Sequence, residues 1–213
     1  MLWLIPFLGF LSGSIPFGLI LGKLKGIDIR EHGSGNIGAT NVFRTLGKKI
    51  GITCLLLDFI KGFVPVLIAT KLTPDSTSGQ TIEVVTALVA ILGHNYSPWI
   101  GFKGGKGIAT SAGALTALMP VGVLLLIIVF VVVTKITKYV SVGSIATAIS
   151  LPLVFLLGSS LYGKFPHGDW NKPLFVFSLI AGAMAVWKHR TNIVRLRAGT
   201  EHKIGQKKKE ASS

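Results

Sequence analysis

Acidic side chains are scarce in this chain, with 8 Asp and Glu against 22 Lys and Arg in 213 residues. Divalent metals prefer carboxylate oxygens, so a metal-dependent phosphotransferase fits poorly and no metal site is expected. Cysteine occurs once, at Cys54. That excludes a disulfide framework, and its apolar surroundings read as packing rather than as a nucleophile. Charge of either sign is missing from Leu2 to Gly22. The stretch lacks the basic start of a signal peptide and is long enough to cross a hydrocarbon core of about 30 Å as a helix.

What is present is apolar. Half the residues are hydrophobic and the mean hydropathy is +0.65, too high for an ordinary soluble domain. Further apolar runs cover Ile50 to Thr70, Ile82 to Ile100, Ile108 to Thr134, Val140 to Leu157 and Pro173 to Trp187. The run from Ile108 can be one helix or two that meet at Met119-Pro120-Val121-Gly122. Two crossings there place all but four of the 22 Lys and Arg on one side, with Lys71, Lys164 and Lys172 opposite and Lys61 inside a run. One crossing makes the split nearly even. The positive-inside rule therefore predicts an all-α integral membrane protein with seven transmembrane helices, the amino terminus outside and the carboxy terminus cytoplasmic. Residues 1–213 read as a single membrane-embedded domain, with a basic tail from about 203. The net charge of +14 follows from this asymmetry and from attraction to anionic lipid, and does not call for nucleic acid.

Two polar loops stand out between the runs. Gly33-Ser34-Gly35-Asn36-Ile37-Gly38-Ala39-Thr40-Asn41-Val42-Phe43-Arg44 combines glycines, hydroxyls, amides and an arginine, the makings of an anion site. Gly101-Phe102-Lys103-Gly104-Gly105-Lys106-Gly107 is the second. It is no nucleotide P-loop, because Ser or Thr does not follow the lysine and no strand precedes it. The helix from Lys106 to Met119 is about 21 Å long at 1.5 Å per residue, so this loop should lie sunk below the headgroups. With Lys138-Tyr139-Val140-Ser141 and Lys188-His189-Arg190-Thr191-Asn192, the loops converge on the cytoplasmic face. Asp58 and Lys61 share one helix face near mid-membrane, and a self-neutralising ion pair is the preferred reading over a functional one. His94 and His189 can serve as acid and base or can orient a loop.

The segments Ser34 to Asn41, Gly93-His94, Gly101 to Gly107, Tyr139-Val140-Ser141 and His189-Arg190-Thr191-Asn192 resemble the signature loops of the bacterial acyl-phosphate-dependent glycerol-3-phosphate acyltransferases, the PlsY type. The resemblance extends to Gly199-Thr200-Glu201-His202. It implies an inner-membrane enzyme of phospholipid biosynthesis, with its active site at the cytoplasmic face. Such an enzyme moves a fatty acyl group from acyl phosphate to the 1-hydroxyl of glycerol 3-phosphate, giving lysophosphatidic acid and phosphate. It also implies catalytic roles for Ser34, Arg44, Lys106, Ser141, His189 and Asn192. Gly33, Gly35, Asn36, Thr40, Asn41, Arg44, Lys103, Gly104, Gly105 and Lys106 are expected around the substrate phosphates. No cofactor is expected, and the partners are the two substrates, membrane lipids and an enzyme that supplies acyl phosphate.

No histidine here is followed four residues later by Asp, so the His-x4-Asp machinery of thioester-using acyltransferases is absent. An acyl phosphate is already activated, and direct attack by the hydroxyl needs mainly positioning and charge stabilisation. No Ser-His-Asp arrangement for an acyl-enzyme can be read. A transporter for a phosphorylated solute and a non-catalytic lipid-binding scaffold are the alternatives; the one-sided polar residues and the lack of an inverted repeat speak against transport.

Overall fold

The computed structural model describes residues 2–161 and 171–205, except for the side chains of 159–161. The end of the basic tail, Lys164 and His167 fall outside the described residues. Among the described residues there is no strand. The helices are α1 (Leu4–Ser14), α2 (Phe17–Lys23), α3 (Ala39–Leu46), α4 (Lys48–Leu72), α5 (Thr77–Asn95), α6 (Ile108–Leu118), α7 (Pro120–Thr137), α8 (Val140–Leu161), α9 (Lys172–Lys188) and α10 (Arg190–Arg197). Four stretches are long and apolar enough to cross a membrane: Leu4–Lys23, Lys48–Leu72, Pro120–Thr137 and Val140–Gly158.

The long run from Ile108 divides at Met119 into α6 and α7, as the proline and glycine there allow, with Pro120 in the first turn of α7 where its missing N–H costs nothing. At 11 residues α6 is short. Leu2 to Gly22, by contrast, is not the single helix its apolarity suggests. Pro16 divides it into α1 and α2, because proline has no amide to continue the ladder and clashes with the preceding turn.

Broken helices inside a membrane protein need other partners for their freed carbonyls. Here Ser97 Oγ donates to the Ser14 carbonyl at 2.6 Å and Lys61 Nζ donates to the Ile15 carbonyl at 2.7 Å. Trp99 Nε1 adds a hydrogen bond to Ser14 Oγ at 2.8 Å. Lys61 also lies 2.7 Å from Asp58 Oδ1, one turn away on α4, with both side chains almost fully buried. The Asp58–Lys61 pair therefore neutralises itself, and its cation closes the break in the neighbouring helix. Cys54 is buried one turn before Asp58 and donates a weak thiol hydrogen bond to it at 3.7 Å.

Between helices in lipid no hydrophobic drive exists, so close backbone approach through small residues does the work. Gly62 of α4 lies against the Thr110 carbonyl of α6 and Gly113 of α6 against the Phe59 carbonyl of α4; a Cβ at either would collide with backbone. The bundle's buried core gathers Val66, Ala87, Ile91, Leu115, Leu151, Phe155 and Phe177 from five helices. The first polar loop differs from expectation in its second half, which is helical from Ala39. Ala39, Val42, Phe43 and Leu46 recur at helical spacing, and Val42 is fully buried beneath α3.

Removing Lys61 should unbalance two buried groups at once. Lys61→Met strips buried Asp58 of its ammonium partner, leaving it only His94 Nδ1 at 3.6 Å and the Cys54 thiol, and is expected to cost about 3–5 kcal/mol, with most of that recovered in the Asp58→Asn/Lys61→Met double variant. Thermal unfolding in detergent reads both, and equal loss in the single and double variants would refute the pairing argument.

Candidate active site

A cavity of about 310 Å³ opens where the ends of α3, α6, α8 and α9 meet. Its mouth carries Ser34, Asn36, Thr40, Arg44, Lys106, Ser141, His189, Asn192 and Glu201; Asp58, His94, Ser111, Ser144 and Thr147 add polar groups to its wall, and the rest of its depth is lined by apolar side chains, most of them from α6 to α9. The six residues given catalytic roles by resemblance thus line one space.

Local structure explains how each arrives there. Asn41 is buried and braces the first loop: its Oδ1 accepts from the Ser34 amide at 2.8 Å, and its Nδ2 donates to the carbonyls of Ile29 (3.1 Å) and His32 (2.9 Å). Asn36 Oδ1 accepts from the Gly38 amide at 2.9 Å and shapes the entry to α3. These two side chains hold the loop and keep Ser34 and the first turn of α3 at the cavity wall. Arg44 follows on α3, where burial pushes its guanidinium down and nearby Glu201 works against that shift.

In the second loop Gly104 and Gly105 use their amides on α5, donating to the carbonyls of Asn95 (3.2 Å) and His94 (3.1 Å). Gly105 packs so closely on the His94 ring that no side chain fits. These two glycines therefore pin the loop and have no free N–H for a phosphate, and Gly33, Gly35, Gly104, Gly105 and Lys103 do not line the cavity. Lys103 is exposed. Gly107, at φ +79°, starts α6 and turns Lys106 inward. His94 orients this loop, and Lys188 Nζ secures the same helix end through the Asn95 carbonyl at 3.0 Å.

Glu201 is the residue that the motif analysis did not assign. It is 6% exposed. Its Oε1 accepts from Ser141 Oγ at 2.8 Å and Asn192 Nδ2 at 2.7 Å, and its Oε2 from Arg195 Nε at 2.7 Å. Asn192 in turn accepts from Lys106 Nζ through Oδ1. One carboxylate thus ties α8, α10 and the second loop together. The chain reaches it by folding back after α10, where the Ile204 amide donates to the Lys138 carbonyl at 2.9 Å. Its signal was available as a lone acid in a basic segment.

Electrostatics follow from burial. Lys106 is pushed down to about 8 by loss of solvent, against the attraction of Glu201. His189 is pushed down to about 4, first by burial and then by Lys106, so its ring is neutral near pH 7. Its Nδ1 lies 2.8 Å from the Ala185 carbonyl and must carry the proton there, which leaves Nε2 as an acceptor. Burial works against ionised Glu201, but its hydrogen bonds from Asn192, Arg195 and Ser141 outweigh that and hold it below the usual carboxylate range. Among the described residues no group of three or more His, Cys, Asp and Glu could hold a metal ion.

A family model described as glycerol-3-phosphate acyltransferase matches residues 3–199. The chain belongs to the glycerol-3-phosphate acyltransferase family. A glycerol-3-phosphate acyltransferase of Desulforamulus reducens is 48% identical, over 93% of this chain and 93% of that one. One from Trichlorobacter lovleyi is 43% identical, over 92% and 93%. Among solved structures, PlsY, an integral membrane glycerol 3-phosphate acyltransferase in its glycerol 3-phosphate form, superposes with TM-score 0.83 at 39% identity, covering 96% of each chain. Its lysophosphatidic acid form gives TM-score 0.80 at 39% identity, covering 96% of this chain and 95% of that one.

Glu201→Gln should weaken the tie between α8 and α10 by replacing charge-assisted hydrogen bonds with neutral ones. The expected loss is about 1.5–3 kcal/mol, read as a lower unfolding midpoint in detergent. An unchanged midpoint would show that the carboxylate's contacts are energetically idle.

Proposed function

We propose that this protein transfers a fatty acyl group from acyl phosphate to the 1-hydroxyl of glycerol 3-phosphate, releasing lysophosphatidic acid and phosphate. The observation that carries this reading is one cavity that joins a cationic mouth to a largely apolar interior, in a chain of the glycerol-3-phosphate acyltransferase family. The solved PlsY forms holding glycerol 3-phosphate and lysophosphatidic acid support acceptor and product. Assaying purified protein with acyl phosphate and glycerol 3-phosphate tests it directly, because phosphate and lysophospholipid must then appear in step.

In this reading Arg44 and Lys106 clamp the phosphates, helped by amides in the first turn of α3 that have no partner within the helix. Ser34, Ser141 and Asn192 orient hydroxyl and carbonyl. The acceptor oxygen bonds to the acyl carbon as the carbon–phosphate oxygen bond breaks. The hydroxyl proton has two possible takers near it. His189, at about 4, is too weak a base to hold it at neutral pH and orients the hydroxyl through Nε2. The departing phosphate carries off the electron pair of the broken bond on its oxygen, is by far the stronger base, and takes the proton as it leaves as hydrogen phosphate. No covalent acyl-enzyme and no cofactor are involved.

The charge distribution supports seven crossings, made by α1 with α2, α4, α5, α6, α7, α8 and α9, in a single domain with the mouth at the cytoplasmic face of the inner membrane. Successive crossings then bring Arg44, Lys106, Ser141 and His189 to one end. Cysteines placed at Lys49 and Lys138 should label only from the cytoplasm and one at Lys71 only from outside, with buried Cys54 silent. Labelling of Lys138 from outside would overturn the topology.

Arg44→Ala or Lys106→Ala should each lower turnover about a hundredfold or more if the clamp stabilises the transition state by a few kcal/mol. Lys49→Ala should change little. Because Lys106 is cationic only below its lowered value, kcat/KM should fall as pH rises through about 8, and Lys106→Arg should move that limb upward. Near-normal rates for both alanine variants would rule out the clamp.

Direct transfer requires both substrates to be bound before any product leaves. Initial-rate plots should intersect, and no phosphate burst should appear without the acceptor. A turnover-competent acylated Ser34 or Ser141, trapped by mass spectrometry, would overturn the direct step and leave the acyltransferase reading standing.

A further inference from the structure

The helical rows facing the cavity stop at a common depth. From the mouth, α6 presents Ile108 to Leu115, α7 runs from Phe130 to Val123, α8 from Ser141 to Leu151, and α9 from His189 to Ala181. At 1.5 Å per residue these rows measure about 10 to 15 Å. One turn further along, Val154, Phe155 and Phe177 no longer border the cavity and are packed in the same buried cluster as Leu115, Val123 and Leu151. Val154 also lies against Gly122, in the first turn of α7. The cavity therefore has a closed floor made of the ends of three rows, and each floor residue is at most 5% exposed. Its side is different. Leu55 and Ile127 border the same cavity yet are 47% and 50% exposed, so they form a rim towards the lipid.

We infer that Leu115, Val123 and Leu151 determine which acyl-chain lengths the protein uses. This rests on the acyltransferase reading above. An extended hydrocarbon chain advances about 1.3 Å per carbon, so the depth accepts about eight to twelve carbons beyond the reacting carbonyl. The end of a longer chain meets the floor, where each methylene that finds no room loses its burial and forces close-packed neighbours apart. A shorter chain leaves the floor unfilled and forgoes those contacts. The residues at the floor thus weigh chain length, while those at the mouth treat all acyl phosphates alike.

The test compares kcat/KM for decanoyl phosphate and stearoyl phosphate, with glycerol 3-phosphate as acceptor. Leu115→Ala and Leu151→Ala deepen the floor and should raise the stearoyl-to-decanoyl ratio by about tenfold, and Val123→Phe should lower it by a similar factor. Ile127→Trp, at the rim, should leave the ratio within about twofold of the parent. Where a floor variant folds poorly, Leu151→Val and Val123→Ile carry the same directions at smaller volume change. Floor variants that turn over decanoyl phosphate with an unchanged ratio would overturn the inference, as would a ratio governed by Ile127, because the chain would then leave through the rim. A parent protein that uses neither donor would overturn the functional reading itself.

Discussion

The carboxylate of Glu201 organises the mouth of this bundle. Arg44, Lys106 and Arg195 are close enough for their charges to be felt at one another, and burial raises the cost of the charges on Arg44 and Lys106. Asp28 is engaged outside the cavity with Arg30 at 2.6 Å and Lys23 at 3.2 Å. That leaves Glu201 as the acid at the mouth, hydrogen-bonded to Ser141, Asn192 and Arg195 and linked through Asn192 to Lys106. Without a substrate the cluster is held by one negative charge. In the proposed reaction, the substrate phosphates supply the others.

The second constraint comes from lipid. Backbone groups freed inside a bilayer find no water, and at Pro16 and along the second loop the protein supplies partners one by one. Lys61 and Ser97 serve the first break; the carbonyls of His94 and Asn95 take the amides of Gly105 and Gly104. The same contacts hold α1 to α4 and α5, and lock the glycine loop so that Lys106 enters the cavity. Satisfaction of the backbone and placement of the site are one arrangement.

Much of the site was legible because its chemistry is concentrated in short segments. Glycines, hydroxyls, Arg44 and Lys106 between apolar runs announce an anion site whatever the packing, and all six residues assigned by resemblance border the cavity. The division of roles within those segments was not legible. Asn41 and Gly105 look as suited to a phosphate as Thr40 does, yet Asn41 braces its own loop and Gly105 packs on His94. Glu201 was passed over because a single acid beyond the last apolar run has no local pattern. The helicity of α3 was hidden by loop-forming glycines just before it.

Hydropathy determines by itself that this is a helical membrane protein, since apolar length acts through transfer energies that do not depend on neighbouring helices. The tertiary structure alone decides that α1 and α2 are separate pieces joined through Lys61, that Gly104 and Gly105 use their amides on α5, and that Glu201 meets Ser141 from 60 residues away. These depend on which hydrogen-bond partner comes within about 3 Å, and that is set by the docking of helices distant in the chain.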